Sequence, residues 1–459
     1  MRHDVKINIP DKAKDVIGTI MAAGFEAYVV GGCVRDSVLG RTPEDWDITT
    51  SARPEQVKAL FPHTVDTGLQ HGTVTVMMGR EGFEVTTYRI DGKYEDCRHP
   101  ENVTFTPSLR EDLQRRDLTI NAMAYNEEQG LVDIFGGMED ISEGIVRCVG
   151  DPRERFREDA LRILRAIRFS AQLGYVIEEG TRKAAAELAP LLSKISAERI
   201  QTELVKLLVS PHPEYLRLAY ECEVTAVFLP EFDKAMETPQ RHPHHCYSVG
   251  EHILSSLGYV EADRVLRLAM LFHDIGKPEV MTADTDGTTH FHGHGAVGAA
   301  MANKIMKRLR FDNDTAAMVC RLVQYHDYGN ALDPDKAAVR KAVNRIGEDV
   351  FPLLLQVKRA DIMAQSDFQR EEKLELLERW GRLYEEIVAD GQCMSLKDLA
   401  VTGRDLIGAG WEPGRKLGVV LQKLLELVLE RPDCNTRERL LEEAAHYAQE
   451  ASEEASLNL

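Results

Sequence analysis

The sequence predicts an α+β protein: a mixed α/β head followed by domains that are helical throughout. Short β-rich runs alternate with helical stretches only as far as about residue 145. From about Asp151 onward, apolar residues recur at i, i+3 and i+4, the spacing of one helical face. At 459 residues the chain is also too long for a single core, and its 43% hydrophobic and 29% charged residues are an ordinary globular mixture. In the head, Ala27–Val30, Trp46–Thr49, Thr73–Met77 and Phe83–Tyr88 read as strands, with helices expected over Lys12–Ala23 and Pro54–Leu60. Asp151-Pro152 opens an arginine-rich helical segment expected to run to about Leu173. A His/Pro-rich stretch, Gln240–His245, reads as a linker into a region holding most of the histidines. The glycine-punctuated stretch Val401–Gly418 leads into an amphipathic helix expected over Val419–Glu430. The resulting domains are 1–145, 146–238, 239–365 and 366–459.

Composition narrows the function classes. The charge balance, 56 − 75 = −19, repels phosphate overall, so contact with nucleic acid has to rest on local basic surface. No run of 18 apolar residues occurs, so no membrane helix is expected, and the opening residues lack the apolar segment of a signal peptide. Eight cysteines without a CxxC pair read as reduced thiols of a cytoplasmic enzyme.

The first strand runs into Gly31-Gly32 and then a helix over Cys33–Leu39. Glycines at a helix N-terminus let backbone N–H groups approach an anion, and Arg35 in the first turn adds a charged fork. Asp45 and Asp47 flank Trp46 at the start of a strand, where residues i and i+2 share a face. Two carboxylates side by side repel unless a cation lies between them, and Mg²⁺ favours such oxygens together with substrate phosphates. That pattern suits in-line phosphoryl displacement, with Glu84 as a candidate third carboxylate. Arg115-Arg116-Asp117 with Asn121 forms a second constellation fit to clamp a triphosphate and a ribose hydroxyl.

In the next region, Asp159 and Arg162 are spaced i, i+3, and Arg165 and Arg168 continue the row along the same expected helical face. An acceptor beside a donor matches the amino-plus-acceptor edge of cytosine and adenine and mismatches guanine and uracil. Taken together, GGCVRD (Gly31–Asp36), DWD (Asp45–Asp47), RRDLTINA (Arg115–Ala122), EDALRILRAIRF (Glu158–Phe169) and SAERIQTEL (Ser196–Leu204) resemble the bacterial class II tRNA nucleotidyltransferase/poly(A) polymerase family across essentially the whole chain. The resemblance implies a nucleotidyltransferase head, with Asp45 and Asp47 binding catalytic Mg²⁺ and Gly31, Gly32 and Arg35 holding the triphosphate. It also implies that Asp159 and Arg162 form an amino-acid template for the base. TTYRIDGKYEDCRHPENVTF (Thr86–Phe105) resembles the loop retained by enzymes that add the terminal A, which favours full CCA addition to tRNA from CTP and ATP. Poly(A) polymerase or A-only addition is the alternative, and a metal phosphohydrolase with a non-catalytic RNA-binding head is a second. Trp46 departs from the family, where an aliphatic residue is commoner.

The histidine-rich region carries LRLAMLFHDIGKP, an apolar helix ending in His273-Asp274, with His252 before it and His294, His326 and Asp361 after it. An ordered His…His-Asp…Asp series suits a metal site in a helical bundle, and a divalent transition metal fits its donors. The series resembles the HD phosphohydrolase domain, with His252, His273, Asp274 and Asp361 at the ligand positions and His294 and His326 as in binuclear or substrate-holding variants. His245 competes with His252 as the first ligand. The resemblance implies hydrolysis of phosphoesters such as 2′,3′-cyclic phosphates. The last region resembles the tail that grips the elbow of tRNA, with Gly403, Arg404, Arg415 and Lys416 as candidate backbone contacts.

Overall fold

The computed structural model describes residues 5–92, 103–241, 247–330 and 332–457, apart from the side chains of 70, 91 and 448–457. His245 and part of the Thr86–Phe105 segment (93–102) lie outside the described residues. The chain divides into two compact units: Met1–Lys234 with Lys307–Phe311, and Ala235–Met306 with Asp312–Leu459.

In the first unit the head strands are β1 (Ala27–Val30), β2 (Ile48–Thr50), β3 (Thr64–Gly68), β4 (Thr73–Met78), β5 (Glu81–Thr87), β6 (Arg89–Asp91), β7 (Val103–Phe105), β8 (Met123–Asn126) and β9 (Gly130–Asp133). Seven of them form a sheet in the order β3-β4-β5-β2-β1-β8-β9, while β6 and β7 pair separately. Only β2 and β5 run parallel within the larger sheet, with Ile48 opposite Val85. β1 is buried along its whole length, which explains its unbroken apolar run. Helices α1 (Asp11–Ala22), α2 (Gly32–Val38) and α3 (Pro54–Leu60) contribute to one core: Val16 and Ile20, Val34 and Val57 lie with Val29, Ile48, Val74 and Val85. A smaller cluster built on Tyr28, Tyr88, Leu113 and Ala124 lies beside α4 (Leu109–Gln114), and α5 (Gly137–Glu143) completes the head.

The long helix expected from Asp151 to Leu173 is two helices, α6 (Pro152–Glu158) and α7 (Leu161–Leu173). Asp159 is extended, at φ −139° and ψ 103°, and its Oδ1 accepts the Leu161 N–H at 3.1 Å. An aspartate offering its own side chain to the backbone favours such a break, and periodicity alone did not detect it. α8 (Glu179–Leu188) and α9 (Ala197–Leu208) complete this part, with α9 packed along α7. Strand β2 starts at Ile48, so Asp45 and Asp47 sit on its lead-in and not on the strand itself.

Among the described residues, the regular structure of the second unit is helical apart from one short hairpin. Helix Arg264–Phe272 is capped by Asp263, whose Oδ1 accepts the N–H groups of Val265 and Leu266, and it is buried from Leu266 to Phe272. Helix Arg370–Ala389 packs on Phe351–Ala364, the Trp380 and Tyr384 rings lying 6.3 and 5.1 Å from that of Phe351. Arg340 ties the end of the chain to this bundle, donating to the Leu429 carbonyl and to Gln392 Oε1, both at 2.7 Å. A terminal core of Leu406, Val420, Leu424, Val428 and Leu440 follows. The amphipathic helix there begins at Arg415, four residues before the expected start.

Candidate active site and histidine cluster

The parallel register of β2 and β5 places Asp47 beside Glu84, one step before the ladder begins. Asp45, Asp47 and Glu84 line one cleft of about 550 Å³, with Trp46 and Phe83 in its wall. Loss of solvent pushes the Asp47 carboxyl up; Arg116 opposes this, while Glu84 and Asp45 add to it. Three carboxylates lining one cleft are a donor set for a hard divalent cation.

Gly31 has φ +82°, and a Cβ there would lie 3.0 Å from Arg116 Nη1. Glycine is required here because an arginine lies against the turn. The Gly31 N–H itself donates to the Met123 carbonyl at 3.1 Å, so it is not available to a ligand as the sequence pattern implied. Burial lowers the pKa of Arg116 against the pull of Asp112 and Asp47, and its Nε has no acceptor among the described residues. An arginine held under a glycine turn with an unused N–H keeps one donor that an anion can take.

Arg35 is committed elsewhere: its guanidinium donates to Asn121 Oδ1 at 2.6 Å and to both Asp36 carboxylate oxygens, and lies 4.8 Å from the Phe169 ring centroid. Asn121 donates to Asp117, which also accepts from Arg165 Nε at 2.7 Å. Burial would raise the Asp117 carboxyl, but Arg165 and Arg162 hold it well below the ordinary range. Arg168 is buried in an ion pair with Glu203 at 2.6 Å and faces no open space. Arg35, Asn121, Asp117 and Arg165 thus link the head to α7, and Arg168 links α7 to α9.

Asp159 and Arg162 do not pair. The Asp159 carboxylate is gripped by Arg199 of α9, at 3.2 and 2.7 Å, while Arg162 binds Glu158 and the carbonyls of Arg155 and Arg115. The break between α6 and α7 removes the expected i, i+3 geometry. Arg199, Glu158 and Glu203 went unassigned from sequence; the SAERIQTEL motif, which contains Arg199 and Glu203, was the available signal.

In the second unit, His252, His273 and Asp274 have ligand atoms within 4.8 Å of one another, and so do Asp274, His294 and His326. Asp361 Oδ1 lies 2.9 Å from His252 Nε2. The Nδ1 atoms of His273, His294 and His326 donate to the carbonyls of Met270, Phe291 and Val323 at 2.7, 2.8 and 2.8 Å. His252 Nδ1 faces the Ala364 carbonyl at 3.4 Å. A carbonyl can only accept, so His273, His294 and His326 carry a proton on Nδ1 and turn Nε2 inward, while His252 Nε2 lies against the Asp361 carboxylate, which also can only accept. The Nε2 atoms meet at 3.2 Å (His252, His273) and 3.0 Å (His294, His326), distances that require a proton or a metal cation between each pair. Burial would raise the Asp274 carboxyl; His273 and Lys277 hold it well below the ordinary range. All six predicted residues converge, and Asp274 belongs to both triads. In the last region Arg404, Arg415 and Lys416 are exposed, while Gly403 opens the short helix Gly403–Gly408.

A seven-stranded head with a glycine turn against Arg116 and paired aspartates beside Glu84 is the pattern of a nucleotidyltransferase-type protein. Residues 27–147 match the family profile of the poly A polymerase head domain, 174–236 that of the RNA- and SrmB-binding site of polymerase A, and 294–444 that of tRNA nucleotidyltransferase domain 2. The chain is similar to the CCA-adding enzyme of Lactobacillus helveticus, 36% identical over 430 residues covering 92% of this chain and 94% of that one. It is 35% identical to that of Limosilactobacillus reuteri over 447 residues, covering 96% and 97%. The crystal structure of the Bacillus stearothermophilus CCA-adding enzyme in complex with CTP aligns with a TM-score of 0.72 at 29% identity, covering 96% and 98%. The chain belongs to the CCA-adding enzyme family of tRNA nucleotidyltransferases.

Proposed function

We infer that this chain builds the CCA end of tRNA from CTP and ATP. The observation that carries the reading is the cleft where Asp45, Asp47 and Glu84 meet, in a chain akin to CCA-adding enzymes along nearly its whole length. Asp45 and Asp47, with Glu84 beside them, are the residues proposed to hold divalent metal, and the oxygen-only donor set favours Mg²⁺. The bound metal supplies charge stabilisation for the entering and leaving oxygens. A bond forms from the tRNA 3′-oxygen to the α-phosphorus as the bond to pyrophosphate breaks. Arg116 is proposed to meet the triphosphate through its unused N–H, with Gly31 and Gly32 leaving the space. Arg35, Asp117, Asn121 and Arg165 hold the base-reading segment against the head, and Arg168 ties it to α9. Arg404, Arg415 and Lys416, with the backbone at Gly403, are proposed tRNA contacts. The tRNA substrate and the free thiols of Cys33, Cys148, Cys222, Cys393 and Cys434 support a cytoplasmic site of action; among the described residues no helix is long and apolar enough to cross a membrane.

The direct test offers the protein a tRNA lacking CCA, with CTP alone, ATP alone, or both. Two C residues and then one A are expected; A addition without C would establish the A-only or poly(A) alternative. Base choice is proposed to rest on Asp159 as acceptor and Arg162 as donor, with Arg199 setting the direction of the Asp159 carboxylate. Asp159→Ala is expected to reduce discrimination against GTP and UTP by the ~1–3 kcal/mol of one bidentate contact, about 5- to 150-fold. Competition between nucleotides in the incorporation assay measures it, and unchanged selectivity would remove Asp159 from the template.

The inward Nε2 atoms of four histidines favour a second activity, metal-dependent phosphoester hydrolysis, in the second unit. His252, His273, Asp274 and Asp361, extended by His294 and His326, are the proposed ligands, and their mixed nitrogen and oxygen donors suit a divalent transition metal. Bound metal would lower the pKa of its water to give the nucleophile. Lys277, whose Nζ lies 2.7 Å from Asp274 Oδ2, fixes that carboxylate between the two triads. Hydrolysis of a 2′,3′-cyclic phosphate consumes one water, breaks one ring P–O bond and protonates the departing ribose oxygen.

A further inference from the structure

Asp112, on α4, is a carboxylate fully buried from solvent, one helical turn before Arg115 and Arg116. Its Oδ1 accepts from Nε and Nη2 of Arg115 at 3.0 and 2.8 Å and faces the Arg89 N–H at 3.4 Å. Its Oδ2 accepts the Thr49 hydroxyl at 3.0 Å and lies 3.6 Å from Arg116 Nη2. Thr49 is the middle residue of β2, two positions after Asp47. Burial would raise the Asp112 carboxyl, but Arg115 and Arg116 hold it below the ordinary range. One buried anion is thus set between two guanidiniums and fixed to the strand that Asp45 and Asp47 lead into.

Three carboxylates attract Arg116, and Asp112 pulls hardest, ahead of Asp47 and Asp117. The N–H groups of a guanidinium lie in one rigid plane, so an anion that holds Nη2 also fixes where Nη1 and Nε point. Here Nη1 is set against the Gly31 turn, and Nε is left without an acceptor among the described residues. We propose that Asp112 is a positioning residue for the incoming triphosphate, acting through Arg116, which it holds under the glycine turn with Nε free. The proposal rests on the reading of Arg116 as the triphosphate contact and adds what aims it. With an uncharged amide at position 112, Arg115 and Arg116 have no anion between them. Asp117 is already engaged by Arg165 and Asn121, so Asp47 is the carboxylate left to draw Arg116 away. Arg116 would then lose its aim at the triphosphate and lie across a proposed metal ligand.

The test uses the full-length protein with a tRNA lacking CCA, and calorimetry with inorganic pyrophosphate and Mg²⁺. Asp112→Asn is expected to raise KM for CTP and for ATP about 10-fold or more and to weaken pyrophosphate binding by a similar factor, the effect of one charge-assisted hydrogen bond. A role confined to folding would lower Tm and the active fraction, and so kcat, with KM and pyrophosphate affinity unmoved. Arg116→Ala is expected to give the same loss. Adding Asp112→Asn to it is expected to change pyrophosphate affinity by less than about 2-fold, because two residues that act through one contact are not additive. Thr49→Val, which removes the hydroxyl that fixes Asp112 Oδ2, is expected to weaken pyrophosphate about 3-fold and decides the question if Asp112→Asn does not fold. Unchanged KM and pyrophosphate affinity in Asp112→Asn (or in Thr49→Val in its place), or a loss that adds in full to that of Arg116→Ala, would overturn the proposal and leave Arg116 as the triphosphate contact. No loss in Arg116→Ala would remove that contact, and the proposal with it.

Discussion

Asp47→Ala is expected to reduce CMP and AMP incorporation by roughly 10²–10³-fold or more, the cost of losing a group that stabilises charge developing in the transition state. The expectation follows from crowding at the cleft: Asp47 sits in a solvent-poor position beside Glu84 and Asp45, a cluster that is unfavourable unless a cation is drawn in. The same crowding predicts the effect on stability. A carboxyl whose pKa is raised by folding destabilises the native state at neutral pH, where it is charged, so removing it leaves Tm unchanged or slightly higher. Loss of incorporation together with an undiminished Tm is the expected pair of results, measured by primer extension on tRNA and by thermal unfolding without nucleotide. Asp45→Ala is expected to match it in incorporation. Retained incorporation in both variants would remove these aspartates from the metal site.

Asp274→Asn is expected to abolish cyclic-phosphate hydrolysis and bound transition metal while leaving CCA addition intact. Asp274 is the member common to both triads: its Oδ2 lies 3.3 Å from His273 Nε2 and its Oδ1 3.4 Å from His294 Nε2. Replacing one carboxylate oxygen with an amide N–H turns a donor toward Nε2 atoms that already face one another, so the loss extends to both triads. His326→Gln reaches only the second triad and is expected to halve the metal bound per chain, with hydrolysis reduced. Elemental analysis of dialysed protein measures the first quantity and phosphate-ester assays the second. Full metal content in the Asp274 variant would overturn the shared-ligand reading. Preserved incorporation shows that each variant remains folded.

Residue type and short-range spacing by themselves determined the α+β class, the all-helical remainder, the paired aspartates, the glycine turn and the histidine series. Strand β1 was legible because a central strand buried on both faces has to be apolar throughout, and Pro54–Leu60 because its ends carry their own signals. The three carboxylates of the head and all six residues of the histidine cluster were legible as candidates from side-chain type and order, and the structure brings each set together. Partner choice was decided only by tertiary structure. The sequence places Asp159 and Arg162 one helical turn apart, but the backbone breaks at Asp159 and Arg199 of another helix takes the carboxylate. Gly31 reads as an opening for a ligand's phosphate; only the tertiary structure shows that its N–H is taken by the Met123 carbonyl and that Arg116 of a distant segment lies against it. Trp380, on a helix assigned from sequence to the last region, packs on the helix that carries Asp361. Local pattern records what a residue can donate, accept or bury, whereas which group arrives to meet it depends on how segments far apart in the chain pack together.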